Sequence, residues 1–397
     1  MQIAIDVAGF SASEADELRQ AIGAKRSRER MAALQGRFFE GMVANGVDDE
    51  TGVQIWNKLA AFANYGFPES HSISFAYLVY ASSWLKLHYP AAFCAALLRA
   101  QPMGFYSPHS LIQDARRHGV PTLPPCVNTS GATADLERAP ADLELPPIMV
   151  AGADNIERER FDHGWAVRMG IDSVRHIGED LAIEIAKGRP YASIEEVARR
   201  TSIGAEALEA LATAGAFDCF GPARREALWE AGAVVHGGDD KLEGIVTGVH
   251  APQLPGMSEQ EEAVADMWAT GVAVDGHPTR FLRAELTDRG VVTAADLAAV
   301  EPGTEHGSRV LVGGVVTHRQ RPATASGVTF MNLEDETGLI NIVVSVGCWM
   351  RYRRAARGAP ALLIRGRVER QEAVINIVAE KLEPLPVGRV PASRDFR

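Results

Sequence analysis

Between His71 and Leu98 the only formally charged residue is Lys86, and no other stretch limits the folding of this chain so tightly. The run that begins at Phe67 reads FPESHSISFAYLVYASSWLKLHYPAAFCAALL. Ile73, Tyr77, Tyr80, Trp84 and Leu87 recur at steps of four and three, which stacks them on one side of a helix. Phe75, Leu78, Val79 and Leu85 cover much of the other side, and a helix apolar nearly all round is expected inside a domain. Ser70 is placed to cap this helix and Pro90 to end it, and Ala91 to Arg99 reads as a second short helix stopped before Pro102. Breaks at Ser, Lys86 and Pro90 exclude a membrane span, which needs about 20 apolar residues.

Periodicity alone goes no further than the core of an all-helical domain. The residues themselves go further: Tyr65-Gly66-Phe67-Pro68-Glu69-Ser70-His71, Phe75-Ala76, Trp84-Leu85-Lys86, Pro90-Ala91-Ala92-Phe93 and Gln101-Pro102-Met103-Gly104-Phe105-Tyr106. Together they resemble the fingers region of bacterial C-family DNA polymerases, and best the error-prone type of polymerase III alpha subunit. Replicative relatives carry Phe-Asn-Lys-Ser at the counterpart of Phe67 to Ser70, so Pro68 and Glu69 point to the error-prone branch. The resemblance runs from about Met1 to the C-terminus. It implies that Ser70 and His71 stand beside DNA.

Net charge of -11 over 397 residues argues at first against nucleic acid, whose binders carry a basic face. Whole-chain charge averages over domains, so the local distribution decides. Cys94, Cys126, Cys219 and Cys348 are far apart in sequence and form no CxxC pair, which indicates neither a zinc site nor a disulfide framework. The start, Met1-Gln2-Ile3-Ala4-Ile5-Asp6, lacks the basic opening and apolar core of a signal peptide, and a cytoplasmic location is expected.

Residues 1–138 read as the helical fingers region. Ser11 or Ser13 can cap a helix beginning at Glu14, with Leu18, Ile22, Met31, Leu34, Phe38 and Phe39 as its apolar positions. The cluster Lys25, Arg26, Arg28 and Arg30 alone reads as a solvated helical face. The resemblance implies instead a place beside the templating duplex and the phosphates of the incoming nucleotide. Val127, Asn128 and Ser130 keep a pattern of the family that Ala132 and Thr133 depart from. Residues 139–164, rich in Pro, Asp and Glu, read as a linker.

Residues 165–222 resemble the family's tandem helix-hairpin-helix module, built around Ile177-Gly178-Glu179 and the turn Ala214-Gly215-Ala216-Phe217-Asp218. A glycine turn at a helix N-terminus presents unpaired N–H groups that can receive a phosphate without reading a base. The family carries Gly where this chain has His176, whose Cβ hinders close approach while Arg175, His176 and Lys187 add charge. Residues 223–304 form a connection, and His250 and His277 within it and His306 just after it read as isolated loop residues rather than metal ligands.

Residues 305–385 show five apolar strand runs with a helical segment, Trp349 to Ala356, between the third and fourth, which is the order of an OB-fold; 386–397 are a tail. Gly313-Gly314 would bend the first strand. Arg351, Arg353, Arg354, Arg357, Arg365, Arg367 and Arg370 have only Glu369 among them as an acid, so this segment is basic. Arg319, Arg321 and Phe330 are further candidates for backbone contact and base stacking, with Phe330 open to filling the barrel core instead.

The fold class is therefore multidomain α plus β: helical fingers, tandem helix-hairpin-helix, C-terminal OB-fold. The resemblance implies the DNA-binding C-terminal portion of a damage-induced, translesion DNA polymerase that holds primer-template and single-stranded template. Its implied partners are DNA, a sliding clamp and accessory mutagenesis proteins. No catalytic residue, metal ligand or cofactor is assigned to the chain. The complete polymerase is expected to use magnesium on palm carboxylates, and no Asp-x-Asp in strand context occurs here. A stand-alone non-catalytic scaffold is the alternative; a tRNA-binding or repair factor would explain the OB-fold but not Phe67 to Tyr106.

Overall fold

In a computed structural model, residues 2–22, 27–63, 69–149, 157–235, 251–274, 276–299, 307–322, 325–371, 374–387 and 393–396 are described. The chain divides into two units, residues 1–83 with 321–328, and residues 84–320 with 329–396.

Four helices open the first unit: α1 (Gln2–Ala8), α2 (Ala12–Ile22), α3 (Ser27–Ala44) and α4 (Asp49–Ala63). Of the two candidate caps it is Ser11 that starts α2. Its Oγ accepts the Glu14 N–H at 3.2 Å while Glu14 Oε2 accepts the Ser11 N–H at 2.7 Å, a reciprocal capping box. Phe38 is fully buried between Phe10 and Trp56, with ring centroids 5.5 and 5.2 Å away. Gly41 lets α3 touch α1, since a Cβ there would lie 1.8 Å from the Ala8 carbonyl oxygen. Arg37 closes the end of α1 by donating to the carbonyls of Ala8 and Gly9.

The apolar run forms α5 (Glu69–His88), followed after Tyr89 by α6 (Pro90–Arg99). Pro90 divides them as expected, because it occupies the first turn of α6, where no N–H is needed. Two expectations fail. The helix already contains Glu69, so Ser70 lies within it rather than at its cap. The helix is also not buried: Ile73, Tyr77 and Tyr80 are 69, 73 and 79% exposed, and Phe75, Leu78, Val79, Trp84 and Leu85 are exposed with them. An all-round apolar helix requires apolar surface to cover it, and the described residues of this chain do not supply that surface.

Within the second unit, α6 packs on α7 (Pro108–Arg117), and a small sheet runs in the order β1 (Thr122–Leu123), β3 (Trp165–Arg168), β2 (Asp135–Arg138). Arg160 and Asp162, inside the segment read as a linker, are buried. Asp162 Oδ2 accepts the Ala91 N–H at 2.7 Å at the start of α6, and Arg160 Nε donates to Asp162 Oδ1 at 2.6 Å.

Next come α8 (Glu179–Gly188), α9 (Ile194–Arg200), α10 (Ala205–Thr213) and α11 (Arg224–Val235), packed around Ile185, Val197, Leu208, Leu211 and Phe217. The Val127–Ser130 pattern clamps onto this core. The Val127 N–H donates to Ala216 O at 3.0 Å, the Asn128 amide bonds both backbone groups of Tyr191, and Ser130 Oγ donates to Met169 O at 2.8 Å. Ala132 packs against the same core, so the stretch from Val127 to Ala132 is a packing element. The fold also brings Cys126 and Cys219 together. A hydrogen bond from Cys219 pulls the Cys126 thiol down to about 5, and the same bond pushes Cys219 up.

After α12 (Glu259–Ala269), α13 (Arg283–Asp288), β4 (Val291–Val292) and α14 (Ala294–Ala299), five strands close a barrel. They are β5 (Arg309–Gln320), β6 (Thr329–Glu334), β7 (Leu339–Val344), β8 (Ala361–Gln371) and β9 (Val374–Pro384), in the order β5-β6-β7-β9-β8 with β8 returning to β5. Only β7 and β9 run parallel within the ring, and two short helices, α15 (Val346–Arg351) and α16 (Arg353–Gly358), lie between β7 and β8. This is the OB-fold. Gly314 has a specific reason: a Cβ there would sit 2.7 Å from Glu334 O, which the crossing of β5 from β8 to β6 does not allow. Backbone pairing of β10 (Arg394–Phe396) with β5 turns part of the tail into an added parallel strand.

Candidate nucleic-acid interface

Two helices of the second unit begin in the same way. Gly178 precedes α8 with φ -85° and ψ 171°, Gly204 precedes α10 with φ -87° and ψ 168°, and neither end has a side-chain cap. The first-turn N–H groups of such a helix have no partner of their own and carry the positive end of its dipole. Both glycines are exposed, and a Cβ built on either would meet nothing within 4 Å. Main-chain donors aimed into open space suit an anion that approaches closely.

The residue that separates this chain from the glycine pattern explains itself. His176 has φ +64°, in the left-handed region where glycine has no penalty, so the turn keeps the glycine conformation with a histidine in it. Ile177 anchors the turn in the core, and His176 Nδ1 lies 3.5 Å from Glu206 Oε2 in the first turn of α10. The two helix starts are therefore neighbours. Sequence reading missed the second one. Ile203-Gly204 repeats Ile177-Gly178 26 residues later, which was the available signal. The Gly215 turn instead ends α10, with Ala214 as its C-cap and Gly215 at φ +74°, and it leads only into the three-residue 3-10 turn Asp218–Phe220, not into an α-helix N-terminus.

Other residues of the first hairpin divide. Arg175 is exposed, with its guanidinium 5.0 Å from the Trp268 ring centroid. Lys187 lies in the last turn of α8, about 13 Å along the helix from Gly178 at 1.5 Å per residue, too far to join the same phosphate. Glu179 places a carboxylate at the helix start, which favours the dipole and opposes an anion; what it offers is its N–H.

On the barrel, Arg319 is not a surface contact. It is 6% exposed, and Nε donates to Ala356 O at 2.8 Å while the other nitrogens reach Ala359 O, Ser393 Oγ and Asp395. Burial pulls its pKa down against the opposing pull of Asp395. Phe330 points outward from β6, 40% exposed between buried Thr329 and Met331, so it does not fill the core. Its cross-strand neighbours are Val343 and Gln320. Arg351, Arg353, Arg354 and Arg357 are exposed on α15 and α16, with no carboxylate in ion-pair range among the described residues. Arg365 and Arg367 point outward from β8, but Glu380 of β9, which sequence order hid, takes Arg367 at 3.4 Å and Arg309 at 3.0 Å. Arg321 is exposed.

In the first unit, Arg30 is exposed on α3, and His71 is exposed on α5 with its ring edge-on to Phe75 at 4.6 Å. Lys25 and Arg26 lie outside the described residues, as do the side chains of Arg28 and Ser70.

Family models match three parts of the chain: a bacterial DNA polymerase III alpha subunit finger domain over residues 1–46, a helix-hairpin-helix motif over 119–227, and an OB-fold nucleic acid binding domain over 310–385. Full-length matches are to error-prone DNA polymerases. The Mycobacterium bovis protein is 52% identical over 100% of this chain and 34% of its own length, and the Nocardia farcinica protein 52% identical over 100% and 33%. The Corynebacterium glutamicum protein is 49% identical over 100% of this chain and 35% of its own length. The chain thus spans about a third of the length of the curated relatives it matches. With fingers, hairpin pair and OB-fold in the same order along its whole length, it belongs to the error-prone DNA polymerase III alpha family, as the C-terminal part of such a protein.

Proposed function

We propose that this chain is the DNA-holding portion of an error-prone, translesion polymerase, gripping duplex primer-template through the paired hairpins and single-stranded template through the barrel. The carrying observation is that Gly178 and Gly204 have one backbone conformation, open approach and adjacent positions. Contacts of this kind address the sugar-phosphate chain and not the bases, which suits an enzyme that must hold any template. Sliding clamp and accessory mutagenesis proteins are the proposed protein partners and the cytoplasm the proposed location. No helix of the described residues is long and apolar enough to cross a membrane.

The test is Gly178→Val with Gly204→Val. Both backbones are open to any residue and both Cβ positions meet no neighbour, so the melting temperature should hold while duplex affinity falls about tenfold or more, equally for unrelated sequences. Unchanged duplex affinity in the folded variant would sink the reading.

Magnesium of the complete enzyme does not fit this chain. Among the described residues the one cluster of three potential ligands is His109, His277 and Glu334, with a single carboxylate, whereas a two-metal nucleotidyl site needs several. A second reading is a stand-alone non-catalytic DNA-binding or scaffold protein. Primer extension by the purified chain with magnesium should give no product under either reading. Extension on adding a separately expressed palm-containing polypeptide would support the polymerase reading over the scaffold.

A further inference from the structure

His109 on α7, His277 in the turn after α12 and Glu334 at the end of β6 are 2, 3 and 0% exposed and come from three distant parts of the chain. Each can bring one ligand atom within 4.8 Å of the others. Nε2 of both histidines is buried without a hydrogen-bond partner among the described residues. Two orphaned imidazole nitrogens in one place are uncommon in a folded protein, where such groups are satisfied.

Hydrogen bonds around the cluster set its donor character. The Thr279 hydroxyl donates to Glu336 Oε2 at 2.5 Å, so in the 2.6 Å contact between Thr279 Oγ1 and His277 Nδ1 the imidazole is the donor, and the longer 3.3 Å approach of the Thr279 N–H to the same nitrogen is given up. His277 Nε2 then carries a lone pair. His109 Nδ1 has only a long contact, 3.4 Å from the Ala273 N–H, which gives way when the proton moves to Nδ1 and frees Nε2. Glu334 Oε1 is held by Arg117 Nη1 at 2.9 Å, whereas among the described residues Oε2 has only the Ser110 hydroxyl at 3.4 Å. Arg117 orients the carboxylate and also weakens its pull on a cation, so tight binding is not expected.

We propose that His109, His277 and Glu334 bind one divalent transition-metal ion of the zinc class, leaving a fourth position for water. Two imidazoles and a carboxylate are a nitrogen-rich set that suits zinc or cobalt and not magnesium, which prefers oxygen alone. Tetrahedral zinc places ligand atoms about 3.3 Å apart, so the side chains draw together on the ion. The ion ties α7 to the turn at His277 and to the barrel. It is separate from polymerase chemistry.

The full chain, equilibrated with excess zinc, should bind one zinc per chain by equilibrium dialysis. After chelation, added cobalt should give visible d–d bands, and added zinc, but not magnesium, should raise the melting temperature. His109→Gln and His277→Gln should each abolish the cobalt bands, while Cys126→Ser, which removes the competing thiol pair, should keep them. A wild-type chain that binds neither zinc nor cobalt in excess overturns the proposal. So does a cobalt spectrum lost in Cys126→Ser, or one kept in both histidine variants.

Discussion

His176 Nδ1 stands 3.5 Å from Glu206 Oε2 and thereby links the turn before α8 to the first turn of α10. The same histidine holds φ +64°. An L-residue in that conformation costs about 1–2 kcal/mol, while glycine costs roughly 0.5–1 kcal/mol of unfolded-state entropy. His176→Gly should therefore leave stability within about 1 kcal/mol of the wild type and keep duplex binding. His176→Val should destabilise by about 2 kcal/mol or more, since a β-branched residue tolerates positive φ worst. Denaturant midpoints of the two variants check this, and equal midpoints would refute the assignment of strain.

Arginines near the barrel should divide into two kinds. Arg319→Ala strips donors from the carbonyls of Ala356 and Ala359 and should cost about 2–4 kcal/mol in denaturant unfolding. Replacing Arg351, Arg353 and Arg354 together should hardly change stability. Each phosphate that the variant no longer neutralises should instead flatten the dependence of log affinity for single-stranded DNA on log salt by about 0.7. A triple variant with the wild-type slope would remove these arginines from the interface.

Phe330→Ala removes an exposed ring from β6, so a stability loss under about 1 kcal/mol is expected. If the ring stacks on a base, single-strand affinity should fall by roughly 1–3 kcal/mol with the salt slope kept, because stacking releases no ions. Fluorescence anisotropy over a salt series separates this from the arginine effect.

Acid should weaken the start of α2. The Glu14 carboxyl is held below its ordinary value of 4.5, first by the backbone N–H of Ser11 and then by its hydroxyl, with Arg37 adding to the effect and slight burial opposing it. A lowered folded-state pKa means stabilisation that is present above the unfolded value and lost as pH falls through the folded one. Ser11→Ala should cost about 1 kcal/mol near neutral pH. The Glu14→Gln penalty should vanish when melts are repeated at a pH below the folded pKa. A penalty equal at both pH values would show that the carboxylate charge is not involved.

Much of the local structure was legible because its causes are local. Pro90 divides two helices through its missing N–H, whereas Gly313-Gly314 suggested only a bend in β5 and the close pass of Gly314 against Glu334 appeared in the structure. Alternating apolar residues and turn residues were enough to order the five barrel strands. The match of residues to the polymerase family likewise needed no coordinates.

Which surfaces face water, and which distant groups meet, could not be read that way. Arg319 and Arg353 look alike in sequence, yet one is sealed under the carbonyls at the end of α16 and the other lies in solvent. The apolar residues of α5 announce burial but do not say against what, and their exposure is a property of everything else that folds around them. Neither the pairing of Cys126 with Cys219, nor Glu380 with Arg367, nor His109 with His277 and Glu334 has any signature in spacing. The sequence by itself determined the elements, their order and the family, since helix stops, strand alternation and turn chemistry act over a few residues. Only the tertiary structure decided the site, because a charge is a ligand, a brace or a bystander according to the burial and neighbours it meets across hundreds of residues of chain.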